Sequence, residues 1–445
     1  MAGARRGLES LLRLPSVSST VKNALDSVLS GGIISSPEVV DRLLNAGPDE
    51  YEAICVAADE LRKAQVGDAV SFVVNRNINF TNVCVKRCGF CAFSRDAKKS
   101  DEGYVLPIKE VVRRASEAKA LGATEVCIQA GLLPHMDGVK YLHLVAAIKE
   151  AEPSLHIHAY SPEEILYGSK LMDLPVSEYL KHMKGAGLGS LPGTSAEILD
   201  KEVRNLISPG RISVDNWLEV IRTAHGLGIP TTSTMMYGHA EKMSHVARHL
   251  LLLQQTQRET QGFTEFVPLS FVSEHAPMAQ PGFRGPRAKP VTVRKGPSRV
   301  ERILVHAVSR LVLGRFIPNL QVSWVKEGLE DAKSILECGA NDLGGTLMNE
   351  SISTAAGSRF GQLQTPSQLK AAIRELRRVP VERSTTYRVL RRFDVDPAAD
   401  EREATGAAQS PLDQVQDHDE RFGSYATLIH DERFKYDNDF STRLT

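Results

Sequence analysis

A chain of 445 residues, 42% hydrophobic and 24% charged with a formal net charge of zero, has apolar material for a large core and no excess of either sign. That balance excludes binding to a polyanion or an acidic membrane surface through bulk charge, so no nucleic-acid partner is expected. No run approaches the roughly 18 apolar residues of a spanning helix, so no membrane role is expected either.

The first residues, MAGARRGLESLLRLPSVSSTVK, are rich in Arg, Ser and Leu and carry one acid, Glu9. Residues 1–20 therefore read as a flexible N-terminus or an organellar targeting peptide. Three of the six cysteines are clustered and the others show no pairing pattern, which points to a reducing, cytoplasmic setting. Over residues 21–66 the pattern turns helical. SSPEVVDRLL has a Ser cap ahead of Pro and Glu, and EYEAICVAADELRKAQ repeats apolar residues at helix spacing, so two or three helices should pack on the domain C-terminal to them.

AVSFVV (69–74) reads as a buried strand and runs into VVNRNINFTNVCVKRCGFCAFSRD (73–96). Here Cys84, Cys88 and Cys91 are separated by three and two residues, while Cys55, Cys127 and Cys338 stand alone. Three thiolates can converge on a soft metal centre and leave one coordination position open. An iron-sulfur cluster with one open iron fits that count; structural zinc would need a fourth ligand, and the nearest histidine, His135, is far away in sequence.

Strand-like and helix-like segments then alternate. The strand candidates are 124–129, 155–160, 187–191, 229–237, 263–269, 319–324 and 340–345, several of the helices between them ending in Gly. With the strand before the cysteines this makes eight, which predicts an α/β fold of the (β/α)8, TIM-barrel type over residues 67–395. Chemistry belongs at the C-terminal ends of such strands, and polar motifs fall there: Gln129–Pro134, His156–Pro162, Ser190–Glu197, Met236–Glu241, Thr264–Phe266 and Gly339–Thr346. One of His156 and His158 is expected to face the cavity and the other to pack between strand and helix. A Pro-, Gly- and Arg-rich segment, 278–298, reads as a long loop near the mouth. Residues 396–445 are acidic and poor in apolar residues, a tail expected to be partly disordered, though its last aromatics could dock.

Cys-x3-Cys-x2-Cys with Phe90 before the last Cys resembles the signature of the radical S-adenosylmethionine (SAM) enzymes. The resemblance implies a 4Fe-4S cluster held by Cys84, Cys88 and Cys91, with the amino and carboxylate groups of SAM on the fourth iron. NRNINFTNVC, HIHAYSP, FTEFVPLSFV, GANDLGGTLMNESIS and RVPVERSTTYRVL narrow it further. Over roughly residues 22–392 the chain resembles the branch containing the two units of FO synthase, and most of all its CofH-type unit. That resemblance implies transfer of the 4-hydroxybenzyl group of L-tyrosine to 5-amino-6-(D-ribitylamino)uracil, in deazaflavin coenzyme biosynthesis. Hydrogen abstraction from the tyrosine amino group, Cα–Cβ scission and addition to C5 of the uracil are the implied steps. An electron donor is required, and a CofG-type partner would complete FO, since this chain has one cysteine triplet.

Onto this sequence the resemblance places SAM against Phe90, the Gln129–Gly131 turn, Ser161, Glu197 (ribose hydroxyls) and Arg204 (carboxylate). Ala130 stands where the family's turn has its first Gly. The substrate side takes His158, Tyr160, Tyr237, Glu265, Asn341 and Asp342, with Glu265 and Asp342 as candidate catalytic groups. The other readings are a CofG-type lyase, a menaquinone futalosine-pathway cyclase, and a noncatalytic iron-sulfur or zinc scaffold.

Overall fold

Three helices lead into the barrel, and their first turns are supplied with caps. In the computed structural model, which describes residues 8–97, 101–284, 291–396 and 410–436, these are α1 (Ser19–Leu29), α2 (Pro37–Leu44) and α3 (Pro48–Val66). The hydroxyls of Ser18 and Ser36 accept from the amides of Val21 and Val39 at 3.5 and 3.3 Å. Pro37 and Pro48 occupy first-turn positions where a missing N–H costs nothing. Buried Glu50 joins the three helices: it accepts from Gly47 N at 3.0 Å, Ser18 Oγ at 2.8 Å and Arg42 at 2.5 Å.

The body is a ring of parallel strands. β1 (Ala69–Val73) and β2 (Asn75–Ile78) form one bent strand, followed by β3 (Glu125–Ile128), β4 (His156–Ala159), residues 190–191, β5 (Thr231–Tyr237), β6 (Phe263–Ser270), residues 320–321 and β7 (Asp342–Gly345). β2 pairs with β3, β3 with β4, His158 with Ser190, Leu191 with Thr231, and β5 with β6. Phe266 then pairs with Leu320, Gln321 with Asp342, and Ser71 of β1 with Asp342, so the circuit returns to its start. The expected eight strands are all present. Two are reduced to a pair of residues: Gly187 and Gly189 weaken one, and Trp324 already begins a helix in the other.

Helices packed outside the ring include α4 (Pro162–Leu171), α5 (Met243–Thr260), α6 (Arg299–Leu313) and α7 (Trp324–Leu336), while the short α8 (Ile352–Ala356) borders the cavity. α2 packs on α5 and α3 on α6, so the N-terminal helices cover one side of the barrel.

Below the ring a hairpin is inserted. β8 (Val379–Arg383) pairs in parallel with β1 from Ala69–Val379 to Phe72–Glu382, and β9 (Val389–Arg392) returns antiparallel. The hairpin occupies the β1 edge just before β2 takes up β3, so Arg383 and Thr385 reach the cavity while Thr386 and Arg388 of the turn stay exposed. From the tail, Leu412, Phe422, Tyr425 and Phe434 are buried. The Arg76 guanidinium lies 5.1 Å from the Phe422 ring, and Asn349 Nδ2 donates to the carbonyls of Phe422 and Gly423 at 3.1 and 2.8 Å. Residues 1–7, 397–409 and 437–445, on which part of the terminal expectations rest, lie outside the described residues.

Candidate active site

A cavity of about 380 Å³ opens at the C-terminal ends of the strands, within the range of small-molecule sites. One wall is the loop after β2, which carries Cys84, Cys88 and Cys91, all lining the cavity. Local bonds fix that loop: Cys84 N donates to Arg95 O at 3.0 Å, Val85 N to Leu132 O at 2.9 Å and Gly89 N to Ile207 O at 2.8 Å. At Gly131 a Cβ would stand 2.3 Å from the Val83 carbonyl, so only glycine lets the turn after β3 approach this closely.

The residues present fit an iron-sulfur cluster and SAM. Among the described residues no three Cys, His, Asp or Glu side chains converge tightly enough for a single metal ion. Three thiols spread along one wall suit a cluster instead, in which each thiolate binds its own iron. Burial pushes the Cys88 thiol up to about 12, with Arg211 opposing, so a metal must displace its proton. In the turn, Ala130 N donates to Glu164 at 3.0 Å and Gly131 N to Thr81 O at 2.9 Å. Both N–H groups are thus spent. Among the described residues the two carbonyls accept no bond, leaving them for an ammonium.

A charged strip runs beside the cysteines. Arg211 Nη1 lies 2.6 Å from Glu197 Oε1, its Nη2 donates to Ser195 Oγ at 2.8 Å, and its guanidinium stands 5.3 Å from the Phe90 ring. Glu163 lies 3.7 Å from Arg211 and 3.4 Å from Lys86. Ser161 caps α4 in a box with Glu164, donating to it at 2.6 Å from Oγ. Burial pushes Glu164 up to about 7 despite these donors. Phe90, Gln129, Gly131, Ser161 and Glu197 all line the cavity. Arg204 does not: it gives its guanidinium to the carbonyls of Ala196 and Ile212, holding the 196–212 segment closed. The cation beside Glu197 is Arg211, seven residues after Arg204.

The floor is polar and is completed by the hairpin. Arg383 lines it, with Nε 2.5 Å from Asp342 Oδ2 and Nη2 3.5 Å from Glu265 Oε2. Tyr387 donates its O–H to Glu265, and its ring lies 4.0 Å from the Arg383 guanidinium. Burial pushes Glu265 up to about 7; Arg383 opposes this and Asp342 adds to it. Glu125 accepts from Asn75 at 2.8 Å. Burial pushes His158 down to about 4, so it is a neutral imidazole at pH 7.

Several side chains depart from expectation. His156 and His158 do not face opposite ways, since residues two apart on a strand share a face: both bond to Ser190 Oγ, at 2.7 and 2.6 Å, and His158 is the one lining the cavity. Tyr160, Tyr237, Asn341 and Asp342 do not line it. Tyr160 donates to Tyr141 O at 3.1 Å and stacks edge-on to that ring, so it packs behind the strand. Tyr237 is buried beside Ser270. Asn341 Oδ1 accepts from Arg310 at 2.7 Å and Leu320 N at 2.9 Å, on the opposite face from Asp342. Asp342 reaches the cavity through Arg383. Arg211, Arg383, Tyr387 and Lys326 were missed, because their places depend on a loop, a hairpin insertion and a helix start that carry no local signal.

A family model for the radical SAM superfamily matches residues 78–253, and one for the CofH/MqnC C-terminal region matches residues 260–394. The chain is 45% identical over 341 residues to the 5-amino-6-(D-ribitylamino)uracil–L-tyrosine 4-hydroxyphenyl transferase of Methanothermobacter thermautotrophicus, covering 77% of this chain and 90% of that one. The chain belongs to the CofH family of radical SAM enzymes. It is also 45% identical over 349 residues to the FO synthase of Mycobacterium tuberculosis, covering 78% of this chain but 40% of that protein. The FeFe-hydrogenase maturase HydG from Carboxydothermus hydrogenoformans shares the fold, with a TM-score of 0.62, 13% identity and coverage of 86% of this chain and 84% of that one. A 4Fe-4S cluster and SAM are the cofactors of this enzyme. Among the described residues no helix is long and apolar enough to cross a membrane.

Proposed function

We infer that this enzyme transfers the 4-hydroxybenzyl group of L-tyrosine to 5-amino-6-(D-ribitylamino)uracil, the coupling step of deazaflavin (FO) formation. The observation that carries this is the 45% identity with transferases of that activity over nine-tenths of their length. When bound, the cluster and SAM supply the radical that opens tyrosine. Cys84, Cys88 and Cys91 are assigned as cluster ligands, Phe90 as a support for the adenine, Glu197 for the ribose hydroxyls, and the Ala130 and Gly131 carbonyls for the SAM ammonium.

The residues of this chain bind, orient and exclude. A flat ring with imide and amino edges needs matched donors and acceptors in a dry site. Glu265, Glu125, His158 and Arg383 supply that mixture at the floor, and Glu265 can take up a proton near neutrality. Closure around the fragment keeps the released benzyl group next to its acceptor. An electron donor is required, and a CofG-type enzyme would finish FO. The family region shared with MqnC keeps a cyclase as the second reading.

Anaerobic incubation with reductant, SAM, tyrosine and the diaminouracil tests this. The expected products are glyoxylate, from hydrolysis of the glycine imine, and a hydroxybenzyl adduct of the uracil, without FO. Turnover of a futalosine-type substrate with tyrosine ignored would overturn the assignment.

A further inference from the structure

Among the described residues four cations line the cavity: Lys86, Arg211, Lys326 and Arg383. Three are neutralised in place, by Glu163 at 3.4 Å, Glu197 at 2.6 Å and Asp342 at 2.5 Å respectively. Lys326, in the first turn of α7, has no carboxylate in contact among the described residues. Burial lowers its pKa, and the carboxylates acting on it from a distance are Glu350, Glu327 and Glu197. Two of these are engaged elsewhere. Glu327 accepts from Ser270 at 2.5 Å and pairs with Arg302 at 2.8 Å, while Glu197 holds Arg211.

Glu350 is different. It follows β7, lines the cavity, and accepts from backbone amides at the start of α8, Ser353 at 2.9 Å and Thr354 at 3.3 Å, and from the Ser353 side chain; burial raises its pKa. No cation contacts it among the described residues. The cavity therefore presents one cation and one carboxylate that each lack an ion-pair contact and act on one another only across a distance. Burying both is costly unless a ligand completes them.

The charges of the three ligands settle which one. The uracil is neutral. SAM brings an α-amino acid group, but that group is expected at the cluster, beside the Ala130–Gly131 carbonyls and Arg211. One zwitterion remains, and one charge pair remains to meet it. We propose that Lys326 and Glu350 form the headgroup clamp for the amino-acid substrate, with the Lys326 ammonium on its carboxylate and Glu350 on its amino group. The inference rests on tyrosine being the substrate.

The test measures binding to the reconstituted holoenzyme with SAM present, using L-tyrosine, tyramine (no carboxylate) and 3-(4-hydroxyphenyl)propanoate (no amino group). The wild-type protein should bind both analogues at least about tenfold more weakly than tyrosine, as expected for loss of one charge-assisted hydrogen bond. Lys326→Met should weaken tyrosine and the propanoate about 10- to 100-fold and leave tyramine unchanged, with Lys326→Arg restoring part of the loss. Glu350→Gln should weaken tyrosine and tyramine and spare the propanoate. Uracil and SAM dissociation constants should not move. Equal weakening of tyrosine and tyramine by Lys326→Met would overturn the clamp, and a raised SAM dissociation constant would assign Lys326 to the SAM carboxylate instead. If a variant loses iron and sulfide, the analogue ranking on the wild-type protein decides. Wild-type turnover of tyrosine with an unchanged KM in Lys326→Met sinks the clamp alone, whereas a wild-type enzyme that neither binds nor turns over tyrosine sinks the functional reading.

Discussion

Arg383 of the hairpin meets Asp342 of β7 in a two-pronged ion pair, Nε to Oδ2 at 2.5 Å and Nη2 to Oδ1 at 2.9 Å, with both side chains buried. The pair ties a segment that comes after the barrel in sequence to the strand that closes it. It also places the guanidinium in the cavity floor. Asp342 thereby holds Arg383 in place at the cavity.

Asp342→Ala leaves the buried guanidinium with Glu265 at 3.5 Å as its nearest carboxylate in place of a two-pronged pair, which should cost up to roughly 3 kcal/mol in unfolding free energy. Uracil KM should rise while the SAM dissociation constant stays constant. Combining it with Arg383→Met should recover much of the stability, because the orphaned charge is gone. Denaturant titration of the two single variants and the double variant measures the coupling; strict additivity would show that the contact carries no energy.

Alanine at Cys84, Cys88 or Cys91 should abolish SAM cleavage, while Cys55→Ala and Cys338→Ser leave it largely intact. The second pair lies outside the cavity. Iron and sulfide analysis alongside 5'-deoxyadenosine release checks this. A full, SAM-cleaving cluster in any of the three alanine variants would refute the ligand assignment.

The barrel was legible in the sequence because most of its strands and helices announce themselves locally, through apolar runs, Ser caps and terminal glycines. The cluster of Cys84, Cys88 and Cys91 was legible because three thiols sit within one loop, and all three line the cavity. Side-chain direction was not. Asn341 and Asp342 are equally polar neighbours at a strand end, yet only the alternation of the strand decides that Asp342 turns inward. Arg204 and Arg211 flank the same turn, and which one reaches the cavity depends on the carbonyls of Ala196 and Ile212 that capture Arg204. The hairpin gave no sign that it inserts at β1, since parallel pairing leaves no mark in the strand's own residues.

Arg211→Met should raise the SAM dissociation constant about tenfold or more, because it removes a cation facing the cavity, and should also lower stability by leaving Glu197 without its ion pair. Arg204→Met should leave the SAM dissociation constant close to that of the wild type. Its guanidinium is bound to backbone carbonyls, so its loss leaves buried acceptors unsatisfied and lowers stability by about 1–3 kcal/mol. Calorimetric SAM binding and thermal unfolding on both variants separate the roles, and the opposite pattern would return Arg204 to the SAM site.

Glu265 gives a pH signature in which activity and stability move in opposite directions. Burial has raised its pKa to about 7, so in the folded protein it is protonated below that value and ionised above it. As an acceptor for a uracil N–H, or as the group that takes the adduct's proton, it must be ionised. Rate with limiting uracil should therefore climb as pH rises through about 7 and fall close to tenfold per pH unit well below it. Stability has the other sign. The unfolded carboxyl ionises near 4.5, so the folded state holds the extra proton between that value and about 7. The resulting contribution is complete below the unfolded value and is lost as pH rises through the folded one. Glu265→Gln cannot titrate, so it should flatten the activity profile and remove this part of the stability slope together. Paired kcat/KM and denaturation profiles from pH 5.5 to 8.5 test the assignment. A Gln variant that keeps the wild-type inflection would move the titration to another group, with Glu164, which is also raised to about 7, as the next to substitute.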